Sequence, residues 1–397
     1  MKKILLTGGA GFIGNELVNQ LYNLGEYYIT VIDCMTEQIH GYNWKESYLY
    51  NNIKDKCNFI YGDIRDFDIV EKAVADNEYI IHLAADTGTG QSMYRINQYN
   101  DVNIMGTSNL LQVISSKGAK NNVKKIILSS SRSVYGEGKY KCPNCGVVYP
   151  KSRNKENMKK KDFNLYCDKC GEKLKVLRTT EDSDVTPGSL YAYTKFAQEK
   201  MLQTMCPALG IDYTIFRFQN VYGVGQSLKN PYTGILSIFS TLLLENKPIN
   251  VFENGLESRD FINVRDVAKG VILSIQNNES NSEIINLGSG IGTSVIDIAN
   301  MLKKIYKSKS VINITGDFRI GDIAHNVADI QKAKEILGFN PNIDLKNGML
   351  VAITAFIGTI IGSYCGYLFS QSQPDGLGYI SMITTIGLGI KFLIKPI

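Results

Sequence analysis

The stretch that most constrains this chain is Leu5-Leu6-Thr7-Gly8-Gly9-Ala10-Gly11-Phe12-Ile13-Gly14. Before it, Ile4 to Leu6 is an apolar run that reads as a buried strand. After it, Phe12 to Val18 carries apolar residues at helical spacing. Gly8, Gly11 and Gly14 form a GxxGxxG pattern between the two. A tight strand-to-helix turn needs glycine's backbone freedom. A pyrophosphate also needs backbone close by and a helix N-terminus aimed at it. Glycines alone are equally compatible with a turn that binds nothing. The context adds weight, because the next apolar strand, Tyr28 to Ile32, ends on Asp33, 19 residues after Gly14. A carboxylate there accepts the adenosine ribose hydroxyls. It repels a 2′-phosphate, and no arginine follows it directly, so NAD is expected rather than NADP.

Strand and helix patterns then alternate. Strands are expected at Lys3–Leu6, Tyr28–Asp33, Asn58–Tyr61, Tyr79–Ala85 and Lys125–Ser129, and helices at Phe12–Leu24, Phe67–Asp76 and Asn100–Lys117. This order predicts an α/β fold, a Rossmann-type doubly wound parallel sheet, with ligands at the carboxyl ends of its strands. Asp63-Ile64 sits at one such end, either to recognise adenine or to cap the following helix. Leu83-Ala84-Ala85 offers small side chains where a cofactor passes or where elements pack closely. His82, inside an apolar strand, reads as a satisfied core histidine.

Ser129, Ser130 and Ser131 end a further strand, where hydroxyls serve as caps or as partners for a reacting sugar hydroxyl. Tyr191 and Lys195 stand four apart at the start of a helix and share one face. An ammonium near a phenol lowers its pKa, which makes a general base suited to alcohol oxidation.

Between Ser131 and Tyr191 lies an insert with two CxxC pairs, Cys142/Cys145 and Cys167/Cys170, 21 residues apart. This spacing reads as a Cys₄ zinc ribbon. Gly146 and Gly171 follow the pairs and ease the turn around a metal. Residues 138–177 hold ten lysines and one arginine against two aspartates and two glutamates, so the +5 charge of the 397-residue chain originates here. Met1-Lys2-Lys3 runs straight into a strand without a secretory leader, so the eight cysteines are expected reduced or on metal. A basic ribbon is compatible with nucleic acid, but this one splits a catalytic constellation, so a structural or lid role is preferred and no nucleic acid is expected.

Together these motifs resemble the extended short-chain dehydrogenase/reductases of the NAD-dependent nucleotide-sugar epimerase/dehydratase family. The resemblance rests on TGGAGFIG at Thr7–Gly14, GDIRD at Gly62–Asp66, HLAA at His82–Ala85, NxxGTxNLL at Asn103–Leu111, SSSRSVYG at Ser129–Gly136 and YAYTK at Tyr191–Lys195. It implies a catalytic set of Ser131, Tyr191 and Lys195. It implies that NAD is held by Thr7, Gly8, Gly11, Phe12, Ile13, Gly14, Asp33, Asp63, Ile64, Leu83, Ala84, Ala85, Asn103 and Ser129, with Tyr191 and Lys195. Asn220, Arg259 and Arg319 resemble the family's contacts to the sugar and phosphates of a nucleotide-diphosphate sugar, and Gln219 stands where an aromatic is usual. Family dehydratases carry an Asp-Glu pair after the catalytic hydroxyl. Here Arg132 and Ser133 occupy those positions, which favours a 4-epimerase working through a transient 4-keto sugar. Ribbon-bearing members with an SSRxVYGEG segment are dTDP-L-rhamnose 4-epimerases, and a homodimer is implied by resemblance alone. The alternatives are a 4-ketosugar reductase and, from another class, a non-enzymatic binding module at a membrane.

Beyond Gly348 the composition changes. Met349 to Phe369 is 21 residues without a charge, and Gly376 to Ile390 is uncharged again. A transmembrane helical hairpin is expected, with Lys346, Lys391 and Lys395 on the cytoplasmic side. The expected organisation is a Rossmann domain (1–137 and 178–219), the Cys₄ zinc ribbon (138–177), a mainly substrate-binding α/β part (220–348) and the hairpin (349–397). The catalytic part would be cytoplasmic and membrane-anchored.

Overall fold

The computed structural model of the protein describes residues 1–118, 121–227, 234–319 and 322–354. Seven parallel strands form its main sheet: β1 (Lys2–Thr7), β2 (Tyr27–Asp33), β3 (Asn58–Tyr61), β4 (Tyr79–His82), β5 (Lys125–Ser131), β6 (Asp212–Phe218) and β7 (Glu283–Leu287). Their order across the sheet is β7-β6-β5-β4-β1-β2-β3. The direction of winding reverses between β1 and β4, and the crevice at such a reversal is where open α/β sheets bind ligands.

Both faces of the sheet are covered, so its central strands are apolar throughout rather than alternating. Ile4 and Leu6 join one core, with Leu17, Val18 and Leu21 of the Phe12–Leu24 helix and Val267 and Val271 of the Val264–Gln276 helix. Leu5 joins the other core, with Val70, Leu110, Leu111 and Leu202 from three further helices. Each such side chain contributes about 1.5–3 kcal/mol by leaving water.

The insert forms a small antiparallel sheet from Tyr140–Cys142, Gly146–Val148 and Lys175–Val176. A second lobe packs the helices Ile235–Leu244 and Val295–Ile305 against the parallel pair Ile249–Val251 and Ile312–Ile314.

The structure corrects the reading of the chain's end. Residues 345–354 are helical, and Met349 and Ile353, one turn apart, are buried among Tyr222, Phe239 and Leu302. The expected membrane span therefore begins inside the small lobe, because its first apolar side chains have a core to fill. The rest of the expected hairpin, 355–397, lies outside the described residues. Among the described residues no helix is long and apolar enough to cross a membrane. Met349→Ala is expected to cost about 2–5 kcal/mol, measured by urea unfolding; a purely lipid-facing methionine would leave soluble-state stability unchanged.

Candidate active site

The glycine turn sits at the β1/β4 reversal, and its composition follows from crowding. Gly8 has a left-handed φ of 68°, and a Cβ there would lie 2.7 Å from the Ala84 backbone nitrogen. A Cβ on Gly14 would lie 2.6 Å from Gly9 Cα. Gly11 is the N-cap of the Phe12–Leu24 helix and supplies no side-chain cap, so the first N–H groups of that helix stay available for an anion. At the end of β2, Asp33 accepts hydrogen bonds from the amides of Ala10 (3.0 Å) and Met35 (2.9 Å). Burial raises its pKa against these donors. Asp63 is not a helix cap. It is gripped by Arg65, at 2.9 Å from Nε and 2.6 Å from Nη2, while Asp66 caps the following helix.

Ser189 caps the Leu190–Ala208 helix by accepting from the Ala192 amide, which places Tyr191 in the first turn and Lys195 one turn later. Lys195 Nζ donates to the Ser129 carbonyl at 2.8 Å. Burial pushes this ammonium down to about 7, with Glu199 opposing. Ser131 Oγ accepts from the amide of Ser133 (3.2 Å) and from its hydroxyl (3.0 Å). The Tyr191 phenol is raised by burial, and what pulls it back is a hydrogen bond to Ser131 and the charge of Arg132. Desolvation is the largest influence on the phenol, and Arg132 is the cation that opposes it.

These groups share one cleft of about 1880 Å³. Apart from Thr7 and Asn103, every residue expected at the cofactor, the reaction centre and the substrate lines it. Thr7 and Asn103 are fully buried and do not line it, their side chains being taken up by protein partners. Asn103 Oδ1 accepts from the Asp86 amide at 2.8 Å, and its Nδ2 donates to Thr194 at 2.9 Å. Thr7 Oγ1 accepts from the Ala84 amide and pairs with His82 Nδ1 at 2.7 Å. His82 Nε2 meets Thr107 at 2.9 Å. With both nitrogens partnered and the ring buried, its pKa falls to about 3, so it is a neutral core residue.

The substrate half of the cleft contains groups that sequence reasoning missed. Arg132 Nε donates to Asn220 Oδ1 at 2.7 Å, and its buried Nη1 has no hydrogen-bond partner among the described residues. Burial, with Arg259 nearby, lowers this guanidinium to about 9. Gln219 is buried, with neither amide atom hydrogen-bonded among the described residues. These donors and acceptors face a cleft where a bound group would satisfy them. Their signal in sequence was only a departure from the family pattern. Arg259 donates to the carbonyls of Ser258, Ala324 and Ile323, and Arg319 stacks 4.8 Å from the Phe252 ring centroid.

In the insert, the four Sγ atoms of Cys142, Cys145, Cys167 and Cys170 lie within 4.8 Å of one another. Tetrahedral zinc with bonds of about 2.3 Å sets sulfurs about 3.8 Å apart, so the donor set fits that ion. Gly146 and Gly171 take φ of 75° and 76° directly after each pair, the left-handed turn that brings each pair's sulfurs together.

The NAD dependent epimerase/dehydratase family model matches residues 4–155 and 168–288. The chain is 34% identical over 351 residues to the dTDP-L-rhamnose 4-epimerase of Burkholderia thailandensis, covering 88% of this chain and 93% of that one. Its structure resembles the UDP-glucose 4-epimerase of Thermotoga maritima with UDP-glucose, at a TM-score of 0.72 and 28% identity over 90% of this chain and 99% of that one. It equally resembles the UDP-glucuronic acid 4-epimerase of Bacillus cereus in complex with UDP-glucuronic acid and NAD, at a TM-score of 0.72 and 27% identity over 89% and 98% of the two chains. The chain therefore belongs to the NAD-dependent epimerase/dehydratase family.

One electrostatic consequence is measurable. Burial and the neighbouring Glu253 raise Glu257 from 4.5 to about 8. The folded chain then holds a proton that the unfolded chain has released, so stability falls as pH rises across that window. Glu257→Gln is expected to leave the melting temperature unchanged near pH 4 and raise it by several degrees at pH 8, in thermal scans at both pH values.

Proposed function

We propose that this protein is an NAD-dependent nucleotide-sugar 4-epimerase, acting through a transient 4-keto sugar. The observation that carries this reading is the meeting of Ser131, Tyr191 and Lys195 with the glycine turn in one cleft, while no carboxylate follows Ser131. NAD⁺, when bound, supplies the acceptor for the C4 hydride and gives it back. Tyr191 takes the C4 hydroxyl proton and returns it at the end of the turnover. Ser131 hydrogen-bonds the same oxygen and opposes the rise that burial imposes on the phenol, with the field of Arg132 acting in the same sense. Lys195, buried against Ser129, would hold the nicotinamide ribose. Asp33 and Asp63 line the adenosine end. Asn220, Arg259 and Arg319 would receive the sugar and diphosphate, as bidentate guanidinium donors suit phosphate oxygens. With Arg132 and Ser133 in place of an acid pair, the chain has no group there to abstract a C5 proton, which disfavours elimination.

The test incubates the protein with dTDP-L-rhamnose, UDP-glucose and UDP-glucuronic acid in parallel and follows the ring protons by NMR. Inversion at C4 of at least one sugar is expected, with Tyr191→Phe slowing it about 10²–10⁴-fold. Near-normal turnover by that variant overturns the assignment. Consumption of NADH with a 4-ketosugar, and no inversion of any sugar, would make the protein a reductase.

The four cysteines are proposed to hold one structural zinc, which organises a segment too small to build a sufficient core of its own. Metal analysis of the purified protein is expected to give one zinc per chain, lost in Cys142→Ser. Attachment of the apolar tail to a membrane and pairing of two copies are further proposals, read by cell fractionation and by light scattering.

A further inference from the structure

We infer that the four-cysteine insert is a positioning element of the substrate site: through Arg153 and the segment 322–325 it sets the place of Arg259 in the cleft. This rests on the nucleotide-sugar reading above and assigns the insert a task within it. Among the described residues, Arg259 forms no ion pair. Its Nη1 donates to the carbonyls of Ser258 (2.9 Å) and Ala324 (3.0 Å), and its Nη2 to that of Ile323 (2.6 Å). The guanidinium therefore goes where the carbonyls of 323–324 put it.

That segment is held by the insert and its root. Ala324 is buried in the insert's own core, against Tyr140, Leu165 and Leu174 and beside Cys142 and Cys167. The Ala324 amide donates to Glu137 Oε2 at 2.8 Å. Arg153, from the insert, donates from Nη2 to the Asp322 carbonyl at 2.7 Å. Its Nη1 pairs with Glu253 of the small lobe, and its Nε lies 3.8 Å from Glu137. The Arg153 side chain is only 2% exposed. A guanidinium buried this deeply is tolerated only in a paired, well-directed setting, so the contact defines one arrangement of insert and lobe. Glu253, Arg259 and Asp322 all line the cleft. A continuous path of buried contacts thus runs from the cysteine cluster to a phosphate-binding candidate, whereas the glycine turn stands on other elements.

The test uses the full chain carrying NAD. Arg153→Met combined with Glu253→Gln removes the closer buried pair as a unit, and Glu137 keeps the Ala324 amide as its partner; Arg153→Lys keeps the charge and loses the fork. Binding of UDP and dTDP is measured by calorimetry, beside the steady-state kinetics of whichever sugar is inverted. In the double variant, the Kd of the nucleotide diphosphate and the KM of the sugar are expected to rise tenfold or more. Bound NAD and kcat should stay within twofold of the parent, with Arg153→Lys intermediate. Unchanged nucleotide affinity in the double variant overturns the inference. So does a parallel loss of NAD content, kcat and nucleotide affinity, the mark of general loosening, or a double variant that fails to fold. If the parent binds neither nucleotide and inverts no sugar, the nucleotide-sugar reading itself fails, independently of the variants.

Discussion

The catalytic end of the cleft depends on one buried ion pair. Arg217, at the end of β6, meets Glu199 with Nη2 at 2.8 Å and Nε at 3.0 Å, and both side chains are almost fully buried. Ser130 of β5 donates to the same carboxylate. The Arg217 guanidinium also lies 4.6 Å from the Tyr135 ring centroid, and Tyr135 in turn donates to Asn286 on β7 at 2.8 Å. One carboxylate thus ties two neighbouring strands directly, and a third through Tyr135, to the helix that carries Tyr191 and Lys195. Removing one member of such a pair costs about 3–5 kcal/mol, because the other is left as an uncompensated buried charge. The pair joins the strand that ends on Ser131, through Ser130, to the helix that carries Tyr191.

Around that anchor, desolvation tunes the chemistry more than any single neighbour does. Burial lowers Lys195 and Arg132, raises Tyr191, and keeps His82 neutral. The partly unpartnered Arg132 is tolerable because it borders a cleft built for an oxygen-rich ligand. At the far end the balance is opposite in sign. Glu137, Glu253 and Glu257 gather about Arg153 and Arg259, and burial pushes Glu137 up to about 7. The cleft therefore joins a cation-rich reaction centre to a carboxylate-rich floor, and the insert supplies the arginine that holds that floor together.

Much of this was legible in the residues because it is local in sequence. The glycine turn, the Asp33 strand end, the four-residue spacing of Tyr191 and Lys195 and the two CxxC pairs each announce their geometry within a few positions, and the structure gathers them as that spacing requires. Sequence falls short where distant packing decides. Asn103 and Thr7 match family motifs, but no local pattern names their hydrogen-bond partners Asp86, Thr194, Ala84 and His82. Met349 and Ile353 read as the start of a lipid-facing run, because an apolar helix face looks the same in sequence whether a core or a bilayer covers it.

The sequence by itself determined the doubly wound sheet, the glycine turn and the shared helix face of Tyr191 and Lys195, since period, glycine placement and helical spacing are short-range properties. Tertiary structure alone decided that Arg132 is buried beside the Tyr191 site, which polar atoms were left for a ligand, and that an insert between Ser131 and Tyr191 reaches the opposite end of the cleft. Those outcomes depend on burial and on contacts between residues tens to hundreds of positions apart, such as Arg153 with Glu253, which no local pattern encodes.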